Sequence, residues 1–120
     1  LGLIPATISP YVISRIGESN CRDIFLSGEI FNAEKANKIG LVNEVVKPSD
    51  LENSVDSYIS FFKKTSRQAV SSSKALIQTL RPKVSDKLID ETARRLADTW
   101  ESNDAQKGIK GFLDKSKVVW

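Results

Sequence analysis

Histidine and methionine are both missing from the 120 residues, and cysteine occurs once. Without histidine the chain cannot assemble a Ser-His-Asp or Cys-His nucleophile, nor a histidine metal site. The single Cys21 cannot close an internal disulfide, so nothing in its thiol content points to an oxidising compartment. The cytoplasm is the default, and a protein imported into an organelle would look the same. No apolar run approaches the roughly 18 to 20 residues of a membrane span, and no signal peptide is visible. The lack of methionine extends to position 1, so the chain reads as a piece of a longer protein.

Glycine is scarce as well. Gly2, Gly17, Gly28, Gly40, Gly108 and Gly111 are too scattered for a phosphate-binding or dinucleotide-binding loop. Charge of one sign is in short supply too: 18 Lys and Arg against 15 Asp and Glu leave a net charge of +3. The densest basic cluster, Lys107, Lys110, Lys115 and Lys117, is broken by Asp114 and is no nucleic-acid footprint. Acidic pairs such as Asp90 with Glu91, or Glu18 with Glu29, fall on expected solvent faces. Cys21 sits early on a predicted helix, where the dipole could lower its pKa. A small buried packing residue is the simpler role for it.

What is present is helical punctuation over the length of one modest domain. Ser9 is the expected N-cap of a first helix with Pro10 at its first position, and Gly17 should end that helix in a left-handed conformation. A second short helix is expected from Asn20 to about Ser27, capped by Ser19 and stopped by Gly28. A third runs from Ala33 to Ile39 between Asn32 and Gly40. The β-branched LVNEVV at 41–46 looks like a short strand bounded by Pro48. Ser49 and Glu52 form a candidate capping box, followed by an amphipathic stripe of Leu51, Val55, Tyr58, Ile59 and Phe62. Residues 66–80 carry a weaker stripe up to Pro82. Ser85 should cap a helix from 86 to about 101, and Asn103 with Gln106 one over 104–115 that buries Ile109, Phe112 and Leu113. The fold class is therefore mainly α, with at most one short strand near 41–46. By residue chemistry alone the chain is a helical domain without an active site.

Longer stretches add a resemblance. LGLIPATISPYVISRIGESNCRDIFLSGEIFNAEKANKIGLVNEVV and the tail SNDAQKGIKGFLDKSKVVW together resemble the C-terminal half of the crotonase superfamily, which includes the enoyl-CoA hydratases. The family shows "IP" leading into a helix with R-x-I-G, then L-S/T-G, then A-x-x-A-x-x-x-G-L-V, and ends on F-L-E-K. PATISPYV replaces the glycine-rich stretch of most members and is similar to hydratases of branched acyl-CoA substrates, such as methylglutaconyl-CoA hydratases.

The resemblance implies a crotonase-like fold, a β-β-α spiral plus a helical trimerisation region, with the spiral lying before this chain. Residues 1–48 would end the catalytic core and 49–120 would form the helical oligomerisation region. It implies a lyase that adds water across the α,β double bond of an enoyl-CoA thioester, in fatty acid metabolism or leucine catabolism. No cofactor is required, since CoA is part of the substrate. Two glutamates and an oxyanion hole, all upstream of Leu1, would carry the chemistry, so no catalytic side chain falls in this chain and the chain alone is expected to be inactive. Ala6 stands where the family usually has a glycine whose backbone N–H helps hold the water. Phe112 and Lys115 match the family's residues near the acyl tail and the adenine end of CoA, commonly reaching over from a neighbouring subunit. The implied partners are an acyl-CoA thioester and further copies of the chain in a trimer or hexamer, with no nucleic acid and no membrane. An isomerase of the same superfamily, or a stand-alone helical oligomerisation module, would fit the same residues. Cut from its partner layer, the stretch at 1–8 is expected to be frayed or docked on another chain.

Overall fold

The computed structural model describes residues 1–120 and contains no strand. Its elements are α1 (Ser9–Ser27), α2 (Ala33–Lys38), a 3-10 turn (Pro48–Asp50), α3 (Leu51–Lys63), α4 (Arg67–Leu80), α5 (Asp86–Trp100) and α6 (Asn103–Leu113). They divide into two compact units: Leu1–Ile30 with Lys83–Trp120, and Phe31–Pro82. This division by packing differs from a functional one at residue 48, because both chain ends belong to the first unit.

In the first unit the two helices expected on either side of Gly17 form one element with a break. Gly17 has φ 77° and ψ 163°, an extended mirror-image conformation and not the left-handed turn expected of it. Only glycine adopts it without strain. The break rather than Ser19 starts the second half, and across it the Asn20 side chain donates to the Ile16 carbonyl at 2.8 Å. The kink has a packing consequence. Ile16 and Cys21, five residues apart, would lie about 140° apart around a straight helix, yet both are buried. Ser9 is not the cap. The chain already turns at Ala6–Ile8, leaving Ile8 at the cap position without a side-chain bond, and the Ser9 hydroxyl donates backward to the Ala6 carbonyl at 2.7 Å. Gly28 ends the helix in the left-handed region, as its position predicts.

α5 starts where expected, the Ser85 hydroxyl accepting from the Leu88 N–H at 3.2 Å. Its outer surface carries Glu91 between Arg94 (2.6 Å) and Arg95 (2.7 Å). Hydrogen bonds from these two guanidinium groups hold the Glu91 carboxyl below its ordinary pKa. A depressed carboxylate pKa contributes stability above the unfolded value, about 4.3, and loses it as pH falls through the lower folded value. The Glu91 carboxyl is therefore expected to stay ionised on acidification past about pH 4.3, the ordinary carboxyl value, as followed by NMR titration. Glu91→Gln should remove this step from the helix signal of α5.

α6 begins one residue earlier than predicted. Ser102, not Asn103, accepts from the Ala105 N–H at 3.1 Å, and Gln106 donates to the Trp100 carbonyl. Its buried face is Ala105, Gly108 and Gly111. Phe112 and Leu113, expected in the core, are about 70% exposed, at 70% and 71%. The reason is the thinness of the covering layer. The backbone of Leu1 and Gly2 lies directly on α6, and a Cβ at Gly108 would collide with the Leu1 carbonyl. Small residues are what that approach demands, and they claim the inner face. The opening stretch is thus docked on α6 of its own chain, not frayed, although Leu1, Ile4, Thr7 and Ile8 keep exposed side chains.

The second unit starts with α2, whose cap Asn32 accepts from the Lys35 N–H at 2.9 Å. It ends at Gly40 (φ 80°), where the Leu41 N–H returns to the Ala36 carbonyl and the Gly40 N–H to that of Asn37. The strand expected at 41–46 does not form. The Asn37 side chain donates to the carbonyls of Val42 and Asn43, and the chain offers no neighbouring strand. The Ser49 capping box is also absent: Pro48 opens a 3-10 turn one residue early, and the Ser49 hydroxyl donates to the Asp50 carboxylate instead. α3 and α4 match the expected ranges, α4 capped by Ser66. Their apolar stripes face outward, with Leu51 56%, Phe62 63% and Leu80 74% exposed.

Candidate functional site

The segment leading into α1 builds a small, well-tied turn around Ala6. Pro5 is its centre, and the Ala6 N–H donates to the Ile4 carbonyl across it at 2.9 Å. The Ala6 carbonyl accepts from the Ser9 hydroxyl, and the Pro5 carbonyl accepts from the Ser9 N–H at 3.0 Å. Ala6 is buried, at 6% exposure. Its N–H is committed to a three-residue turn.

Phe112 and Lys115 come together at the other end of the same unit. Beyond Leu113 the chain reverses: the Ser116 N–H bonds the Gly111 carbonyl at 2.9 Å and the Lys115 N–H that of Phe112 at 3.3 Å. This pattern places Lys115 at the left-handed position, with φ 51°, the only non-glycine residue with positive φ. A lysine there bears a strain that glycine would not, about 1–2 kcal/mol. The turn holds the Lys115 backbone and the exposed Phe112 ring on one helix end. Ala6 is on a separate element, joined to α6 through the Leu1–Gly2 backbone. Lys107 adds a contact that sequence reasoning missed: its ammonium donates to the Val119 carbonyl and ties the tail back. Nothing in the sequence marks that bond, because its acceptor is main chain.

Cys21 settles into the packing role. It is buried, and burial pushes its thiol pKa up. Below about pH 8.5, the ordinary thiol value, the neutral form costs nothing; stability falls as pH rises from there toward the raised folded value. We expect thiol reagents to label native Cys21 at least tenfold more slowly than the unfolded chain, measured by absorbance at matched pH.

Two open grooves lie in the second unit, of about 550 Å³ and about 310 Å³. The larger is acidic, with Glu44 and Asp50, but Glu44 already accepts from Ser54. The smaller sets Arg67 and Lys74 beside Phe62 and Val70. Neither includes Ala6, Phe112 or Lys115. No cluster of three or more His, Cys, Asp or Glu could hold a metal ion, and no helix is long and apolar enough to cross a membrane.

The model of the enoyl-CoA hydratase/isomerase family matches residues 1–120. The short-chain-enoyl-CoA hydratase of Clostridioides difficile is 28% identical over 113 residues, which cover 93% of this chain and 73% of that protein. A crotonase from Legionella pneumophila is similar in structure, with TM-score 0.57 and 37% identity over 96% of this chain and 45% of its own. A carnitinyl-CoA dehydratase from Mycobacterium avium superposes with TM-score 0.77 at 25% identity, over 99% and 48%. The chain thus spans less than half the length of either solved neighbour. The family match over residues 1–120, together with the strand-free helical structure and its likeness to solved crotonase-fold enzymes, makes this chain a helical C-terminal portion of a member of the enoyl-CoA hydratase/isomerase family.

Proposed function

We propose that the protein to which this chain belongs is an enoyl-CoA hydratase that adds water across the α,β double bond of an enoyl-CoA thioester carrying a branched acyl group. The observation that carries this is the family match over residues 1–120, with hydratases among the relatives. The branched substrate rests on PATISPYV, which resembles the corresponding stretch of methylglutaconyl-CoA hydratases. In this reading the two glutamates and the oxyanion hole lie upstream, and this chain alone does not turn over substrate.

Ala6 supplies a wall of the pocket. A catalytic water accepts from its N–H as the second partner of the bond now made to Ile4. Alanine in place of the family's glycine keeps that donor and restricts the backbone around it. Phe112 and Lys115 contact the acyl tail and the adenine end of CoA; the exposed ring and the ammonium suit an apolar chain and a phosphate. No cofactor takes part. The test is hydration of methylglutaconyl-CoA and crotonyl-CoA by the protein with its upstream residues, followed by loss of the enoyl absorbance. We expect turnover of both, faster with the branched substrate. No hydration of any enoyl-CoA would sink the proposal.

A second role fits the outward apolar faces of α3 and α4 and Trp100 at 52% exposure: residues 49–120 assemble the protein into a trimer or hexamer. Large exposed apolar patches mark such surfaces. Light scattering of the chain should give a mass above 13.3 kDa. A well-folded monomer counts against it.

A further inference from the structure

We propose that Gly108 is a positioning residue for the Pro5–Ala6 turn: it is the seat on α6 into which the Leu1–Gly2 backbone drops, and that seat sets where the Ala6 N–H points. The inference rests on the reading of Ala6 as a pocket wall, and adds to it the part of the molecule that holds the wall in place.

The seat is made by two glycines facing each other across main-chain atoms. A Cβ on Gly108 would collide with the carbonyl carbon and oxygen of Leu1. A Cβ on Gly2 would come within 2.5 Å of the Asp104 carbonyl and 2.8 Å of the Ala105 nitrogen, and Gly2 has φ +67°. Glycine is disfavoured in a helix interior, and Gly108 lies in the middle of α6. Its presence there is explained by the backbone it admits. Between the two glycines Ala105 is completely covered, at 0% exposure.

From this seat only Leu3 separates Gly2 from Ile4, whose carbonyl accepts the Ala6 N–H. The turn is then tied on its far side by the Ser9 hydroxyl. It is thus held from two directions, by α1 through Ser9 and by α6 through Gly2 and Gly108. Packing this close does not absorb an added methyl group locally. Lifting Leu1–Gly2 off α6 therefore displaces Ile4 and breaks or rotates the Ala6 bond. Because Gly108 sits one turn before Phe112 on the same helix, a ligand that orders the end of α6 also favours the seated wall, and the coupling is reciprocal.

The amide of Ala6 reads the seat directly. We would record nitrogen–proton NMR spectra and hydrogen exchange of the 120-residue chain in four forms: unchanged, Gly108→Ala, lacking Leu1 and Gly2, and with both changes. The expected result is that Gly108→Ala shifts the Ala6 amide and speeds its exchange at least tenfold, while Leu88 and Glu91 on α5 keep their positions. Removing Leu1 and Gly2, which introduces no clash, should do the same. Gly108→Ala should then add nothing, since the atoms it collides with are gone. An Ala6 amide unmoved by the deletion overturns the proposal, as does a Gly108→Ala shift of undiminished size in the chain lacking Leu1 and Gly2. Free coenzyme A separates this from the reading it builds on. Shifts at Phe112 and Lys115 that reach Ala6 only when Leu1–Gly2 is present support the link. If coenzyme A moves neither Phe112 nor Lys115, the acyl-CoA role of α6 fails, and the Ala6 amide still decides the seat.

Discussion

Gly17→Ala is expected to lower the stability of the chain by about 2 kcal/mol, with Cys21 remaining protected from thiol reagents. Nothing lies within 4 Å of a Cβ built on Gly17, so the cost is backbone strain alone. At φ 77° and ψ 163° that strain is of order 1–3 kcal/mol for any residue other than glycine. The chain could shed it only by straightening α1. That would swing Ile16 and Cys21 apart by about 140° and expose one of them, forfeiting about 1.5–3 kcal/mol if the isoleucine is the one lost. The two costs are of similar size, so straightening gains nothing and the kink persists under load. Denaturant melts give the loss, and thiol labelling reports the geometry. An alanine variant as stable as the unchanged chain would refute this account, and so would a helix that straightens with Cys21 freely labelled.

Lys115 carries the second large effect, in the protein with its upstream residues. Lys115→Ala is expected to raise KM for the acyl-CoA substrate about tenfold with kcat little changed, the loss of one charge-assisted contact of roughly 1.5 kcal/mol. Lys115→Arg should restore most of it. Lys115→Gly separates binding from folding. It relieves the positive φ of 51° and should stabilise α6 by about 0.5–1 kcal/mol, yet raise KM as alanine does. A lysine that is merely solvated predicts the same gain in stability with KM unmoved. Strain retained at a residue that another amino acid would relieve is a reason to look for a role there.

Which features could be read from residues alone follows from how local their causes are. Asn32 and Ser85 cap their helices as predicted, because a side chain and an N–H three residues on are all the motif needs. Ser9 and Ser49 fail for an equally local reason that composition hides: the turn at Ala6–Ile8 and the Pro48 turn each start one step early, and the hydroxyl is drawn to a neighbour. The stripes of α3 and α4 were legible as helices, but an apolar face does not say what covers it. The inner face of α6 was misassigned because periodicity weights large side chains, while the main chain of Leu1 selects Gly108, and the Val118 side chain packed against Gly111 leaves no room for a Cβ there. The role proposed for Ala6 is legible only through resemblance. A donor that is backbone N–H leaves almost no mark on composition.

The seat between Leu1 and Gly108 has a consequence for variation. Its contacts are made by main-chain atoms on one side and by a missing side chain on the other. The identity of residue 1 is therefore nearly free, and its half-exposed side chain can drift in size and polarity without disturbing the turn at Ala6. The constraint falls entirely on positions 2 and 108. In a saturation library of this chain, tolerance would change abruptly between neighbouring positions: almost anything at 1, almost nothing but glycine at 2.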